Sequence, residues 1–95
     1  MARMLTADDF TPHIGKRFSV AGRPESLTLK SVETGRPSPG LQRVSFTLLF
    51  QGARSPVLPE GLYDLVAEAG AGFEIYVMPI MTASSDRQDY QAIFN

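Results

Sequence analysis

The segment from Arg43 to Gln51 alternates with a period of two: Val44, Phe46, Leu48 and Phe50 fall on one face, Ser45, Thr47, Leu49 and Gln51 on the other. Successive strand residues point to opposite sides of a sheet, so a segment of this kind hides its apolar face only by joining other strands. The same period recurs at Phe18 and Val20, at Leu27 and Leu29, at Phe73, Ile75 and Val77, and at Tyr90, Ala92 and Phe94. Val32 is out of phase with Leu27 and Leu29, which predicts a β-bulge near Lys30 and Ser31. Ala21-Gly22-Arg23-Pro24, Thr34 to Gly40, Gly52 to Pro59 and Thr82 to Arg87 carry the Gly, Pro and small polar residues of turns and loops. Leu49 breaks the polar side of its strand, so that side is either covered by another element or part of a contact surface.

Three stretches read differently. Thr6 and Asp9 have capping-box spacing, opening about two helical turns that Pro12 interrupts and Gly15 ends. Phe10 and Ile14, four residues apart, are expected to share one face and plug an end of the core. From Pro59 to Ala69 the pattern supports two readings. Leu62, Leu65, Val66 and Ala69 fit a helix with Pro59 at its start and Gly70 at its end. Tyr63, Leu65 and Ala67 instead fit a strand entering a hairpin at Gly70-Ala71-Gly72. Pro79 predicts that the strand beginning near Phe73 ends on an edge or bulge.

Ninety-five residues suffice for one domain, 1–95, with a modest core, and no internal repeat is visible. Nine Lys or Arg against ten Asp or Glu lack the basic excess of a nucleic-acid binder. Arg23, Arg36, Arg43 and Arg54 are scattered without interleaved aromatics. The longest apolar runs, Leu48 to Phe50 and Ile75 to Met81, are far short of the roughly 20 residues of a spanning helix. Asp8 and Asp9 fall where a signal peptide needs an apolar stretch, so a cytoplasmic protein is expected.

Little in the chain points to chemistry. With one His and no Cys, a tetrahedral zinc site has too few ligands. His13 could serve a hydrolytic triad only with Ser84 or Ser85 and Asp86, and these serines lack the context of a nucleophile elbow. Asp8 with Asp9 reads as helix capping, and Asp86 with Asp89 as a turn. Glu60, Asp64 and Glu68 read as a solvated face, and Gly70-Ala71-Gly72 as a hairpin rather than a phosphate loop. No cofactor is expected, and no enzyme.

Leu5-Thr6, Asp9-Phe10, Pro12, Gly15, Phe46 to Gly52, Leu58 to Tyr63, Met78-Pro79 and Tyr90 to Asn95 resemble a bacterial family of small all-β proteins of unknown function. The resemblance spans nearly the whole chain, but through apolar alternation and turn residues, which name no chemistry. This chain departs from the family pattern in having Glu60 where Gln is frequent, and Ile80 where Val follows the proline. The resemblance implies a strand after Gly61. It also implies a gene neighbourhood of phage-tail-collar-like proteins, hence a role beside a tail-derived particle.

The expected fold is therefore mainly β, an antiparallel six-stranded barrel or small sandwich with a short N-terminal helix. Its core should include Phe10, Ile14, Phe18, Leu27, Leu29, Phe46, Leu48, Phe50, Tyr63, Leu65, Ile75, Val77, Tyr90 and Phe94. Leu49, Val57, Leu58, Tyr76, Met78, Ile80 and Met81 have no evident core duty. They are expected to meet a protein partner or a second copy, unless a barrel or second sheet covers them. A barrel binding a small apolar ligand is the alternative.

Overall fold

A computed structural model describes residues 5–35, 45–68, 70–82 and 86–94. Six strands make one closed antiparallel barrel: β1 (Arg17–Val20), β2 (Ser26–Thr34), β3 (Phe46–Ala53), β4 (Gly61–Ala67), β5 (Gly72–Ile80) and β6 (Arg87–Phe94). Around the barrel the order is β1-β2-β3-β6-β5-β4. Two three-stranded meanders thus join through β3 with β6 and β1 with β4, a Greek-key arrangement in which the connection from β3 to β4 crosses a barrel end.

Alternation decides what faces inward. Phe46, Leu48 and Phe50 of β3, Leu27 and Leu29 of β2, Ile75 and Val77 of β5, and Tyr90 and Ala92 of β6 are all buried. Even an eight-stranded barrel has an interior only just wide enough for side chains, so six strands leave no lumen. Phe18 meets Phe50 edge-on at 5.7 Å, one of several ring contacts filling the axis. The bulge lies where the phase break placed it: Leu29 pairs with Phe50 and Ser31 with Leu49, leaving Lys30 extra.

The segment after Gly61 is a strand. Leu65 and Ala67 point inward, while Leu62, Asp64 and the half-buried Val66 point out, which divides the apolar set of the helical reading between two faces. Gly70, at φ +99°, closes the hairpin into β5 in a conformation that side chains with a Cβ avoid. Pro79 pairs with Tyr90 inside β5, two residues beyond Val77, the last paired with β4. That side of β5 is a local edge although the barrel closes, and the missing N–H is tolerated there.

Two plugs close the barrel ends. At the first, 3-10 turns at Ala7–Asp9 and Thr11–His13 form the short N-terminal helix. The Thr6 N–H donates to Asp9 Oδ2 at 2.7 Å, the reach-back half of the capping pattern. Phe10 is fully buried, with its ring 4.8 Å from Phe73, 5.6 Å from Phe94 and 5.9 Å from Phe46. This matters because β5 and β6 pair only over Met78–Ile80 with Asp89–Gln91, and Phe10 covers the remainder of that seam. Ile14, expected beside Phe10, is 43% exposed. The reason is the tighter helix: at three residues per turn, positions four apart no longer share a face, and Ile14 is already extended at ψ 130°.

At the opposite end the chain leaves Ala53, crosses the barrel and enters β4 at Gly61. Leu58, expected at a contact surface, is instead 1% exposed and packs in the core. Its backbone N–H donates to Tyr90 Oη at 2.9 Å. A backbone donor carried inside by a crossing loop needs such a partner, since water is excluded there. Tyr63 and Phe94, expected in the core, are half-buried at its margins: Tyr63 Oη donates to the Pro59 carbonyl, and Phe94 stacks on Phe46 at 4.5 Å.

Candidate functional site

Two features outside the core are candidates: an apolar outer face and a cleft at the crossover end. The outer face follows from register. Residues opposite one another in antiparallel strands point to the same side, so Leu62 of β4 and Tyr76 of β5 form an outward pair, 59% and 48% exposed. Met78 and Ile80 continue along β5 on the same side, half-buried, and Met81 just beyond is 97% exposed. Met78 is opposite Gln91, which is opposite Leu49, which is opposite Ser31, so one row crosses four strands. Ile93, 47% exposed, adds to the same side of β6.

The structure therefore brings Leu49 of β3 and Tyr76, Met78 and Ile80 of β5 to the outside of the barrel, with β6 between them and Met81 just beyond the end of β5, and no other layer among the described residues covers them. Val57, 46% exposed, lies in the crossover loop, apart from this face. Leu58 is absent from either surface, being the plug described above. Leu62 and Ile93 belong to the outer face but escaped the sequence pattern, because Leu62 fits a helix as well as a strand.

Polar groups near this face serve local structure. Tyr76 Oη donates to Glu60 Oε2, and this bond, with the nearby negative charge, raises the phenol above its usual value. Asp89 accepts from Thr82 Oγ1 and from Arg87 Nε, both at 3.0 Å, and so ties β6 to the turn from β5. Glu68 accepts the Arg17 N–H at 3.0 Å at the lid end. His13 also lies at the lid end, 5.7 Å from the Phe18 ring and 6.0 Å from that of Phe73. Asp86 precedes β6 at the crossover end, so the triad geometry is not assembled between these two; Ser84 and Ser85 lie outside the described residues. Arg36, Arg43 and Val44 lie outside them too. Among the described residues no three His, Cys, Asp or Glu side chains gather as metal ligands, and no helix is long and apolar enough to cross a membrane.

The cleft has a volume of about 320 Å³ and lies between the β1–β2 turn and the crossover loop. Its apolar walls are Pro24, Leu27, Ala53, Pro56, Leu58 and the Tyr90 ring. Glu25 and Ser26 supply polar atoms. Burial raises the Tyr90 phenol despite the opposing Leu58 N–H, and the neighbouring Tyr63 and Glu25 charges raise it further. Glu25 was not evident from the sequence, where it reads as an ordinary turn residue between Pro24 and Ser26.

A family model of the description Domain of unknown function (DUF6916) matches residues 5–94, which include all six strands and both plugs. The chain belongs to this family. No curated protein and no solved structure matches it. The closed barrel, the lid at Phe10 and the Leu58–Tyr90 clasp are accordingly features of a DUF6916 domain. The candidate surfaces must be read from their own chemistry.

Proposed function

We propose that this DUF6916 domain is a non-enzymatic interaction module that holds a protein partner on the outer face of β4, β5 and β6. One observation carries the reading: the Leu62–Tyr76 pair, Met78 and Ile80 form an apolar strip along adjoining strands, facing away from the core, and the exposed Met81 lies just beyond its end. The rigid closed barrel suits that role, since binding on strands costs little ordering. The polar side chains nearby are already engaged in structural bonds, which supports binding over catalysis. The partner, in this reading, is a component of a phage-tail-derived assembly in the cytoplasm. The resemblance to a family encoded beside tail-collar-like proteins is what favours it.

The test uses tagged protein expressed in its native host and captured gently, alongside Met78→Asp and Met81→Asp variants. A partner recovered at stoichiometric yield with the parent and lost from both folded variants is the expected result. Equal recovery with folded variants overturns the reading.

A second reading, binding of a small apolar molecule, is favoured by the cleft at the crossover end. It places the ligand at the barrel mouth, since buried side chains already occupy the interior.

A further inference from the structure

We infer that the cleft at the crossover end is a binding site for an ammonium or guanidinium group carried on an apolar stem, with the Glu25 carboxylate as its counter-charge. The inference rests on the ligand reading of the cleft and is independent of the outer face. Its central observation is that half-buried Glu25 is the one charged residue lining a cleft with mostly apolar walls, and that its Oε1 has no hydrogen-bond partner among the described residues. An ionised carboxylate only accepts, and of the other lining side chains only the Ser26 and Tyr90 hydroxyls could donate, so a cation entering the cleft would find its counter-charge in Glu25. Two cations near in sequence to the lining are engaged already: the Arg23 guanidinium lies over the Tyr63 ring, 5.5 Å from its centroid, and Arg54 has an interaction of its own.

The walls specify the rest of the ligand. Pro24, Leu27, Ala53, Pro56 and Leu58 offer no hydrogen-bonding side chain, and Tyr90 presents its ring. An apolar stem is therefore favoured over a sugar or nucleotide. The two prolines have fixed backbone angles, which reduces the ordering cost of closing on a ligand. Anions are disfavoured, because Glu25 would repel them. A charge-assisted bond is shorter and stronger than a neutral one, so a protonated amine should be preferred over an alcohol of the same shape.

The test is a titration of the ¹⁵N-labelled protein with benzylammonium and with benzyl alcohol, followed by amide chemical shifts, in the parent and in Glu25→Gln. The expected result is saturable shifts confined to the amides of residues 25–27, 53–55, 57, 58 and 90, with benzylammonium favoured over benzyl alcohol about tenfold or more. In Glu25→Gln, checked for folding by its spectrum, that preference disappears.

Two supporting outcomes separate the sources of the amine. If N-acetyl-lysinamide, with its ε-ammonium free, shifts the same amides and competes with benzylammonium, the source is a lysine side chain of a partner. If benzylammonium binds alone, the source is a free amine. Equal binding of the alcohol and the amine overturns this inference while leaving the ligand reading standing. No saturable shift with either probe overturns both, the carboxylate then being served by water.

Discussion

Replacing Tyr90 by Phe tests whether the crossover loop is held by a single buried clasp. The substitution preserves the ring that packs in the core and deletes only the hydroxyl oxygen that accepts the Leu58 N–H at 2.9 Å. Tyr90 and Leu58 are each 1% exposed, so solvent has little access to the orphaned donor. Losing the bond and leaving a buried N–H unpaired costs about 1–3 kcal/mol, with a working value of about 2. A urea slope of about 1 to 1.5 kcal/mol/M for a chain this small makes that a fall of roughly 1.5 M in midpoint. The same loss corresponds to about 10 °C in Tm. Urea unfolding followed by circular dichroism reads the effect directly. Hydrogen exchange should show the Leu58 amide becoming exchangeable well before the core strands. A stability change under about 0.5 kcal/mol, with Leu58 still protected, would refute the clasp, because another acceptor would have to take the N–H without penalty.

Other perturbations probe the remaining parts. Phe10→Ala should cost about 3–5 kcal/mol in urea unfolding, and amides along the β5–β6 seam at 73–77 and 92–94 should lose exchange protection together. Gly52→Ala should destabilise by about 1–3 kcal/mol, because a Cβ there would be 2.8 Å from buried Leu27 and 3.3 Å from the Tyr90 ring. Gly61→Ala, where the nearest contact is Tyr63 at 3.8 Å, should instead be neutral or stabilise by up to about 1 kcal/mol in the same assay. Burial holds the folded Tyr90 phenol above its unfolded value, so stability is fully present below about pH 10 and falls as pH rises through the folded value. The urea midpoint of Tyr90→Phe should therefore decline less between pH 9 and pH 11 than that of the parent; identical declines would assign the alkaline loss to other groups.

How much of this was legible in the chain depends on how local the cause is. The inward faces of β2, β3, β5 and β6 follow from alternation because a strand's side-chain direction is set residue by residue. The bulge after Leu29 is a phase break in the same signal, and the hairpin at Gly70 is a local demand for positive φ. β4 was not decided by its own residues: Leu62, Leu65 and Val66 fit the helical period while Tyr63, Leu65 and Ala67 fit the period of two, and pairing with β1 and β5 selects the strand. Ile14 failed for a different reason, since spacing assumed an α-helical turn where Pro12 sits within tighter 3-10 geometry.

The candidate sites divide the same way. Tyr76, Met78 and Ile80 could be picked out because an apolar residue on the wrong face of a strand is conspicuous in a period-two pattern. Leu58 could not, because a leucine among prolines in a loop looks like surface until the Greek-key crossover carries it over the barrel mouth. The same crossover creates the cleft: Pro24 and Glu25 come from the β1–β2 turn, Pro56 from the crossing loop and Tyr90 from β6, segments brought together only when the barrel closes. Glu25, an ordinary turn residue in the sequence, becomes by that closure the charged side chain of the cleft. The crossover thus ties fold to function in two ways: its Leu58 amide anchors it to Tyr90, and its outer side shapes the wall opposite Glu25. A change that loosens the clasp should therefore weaken amine binding as well as stability, whereas Glu25→Gln should remove the preference for an amine and leave the clasp intact.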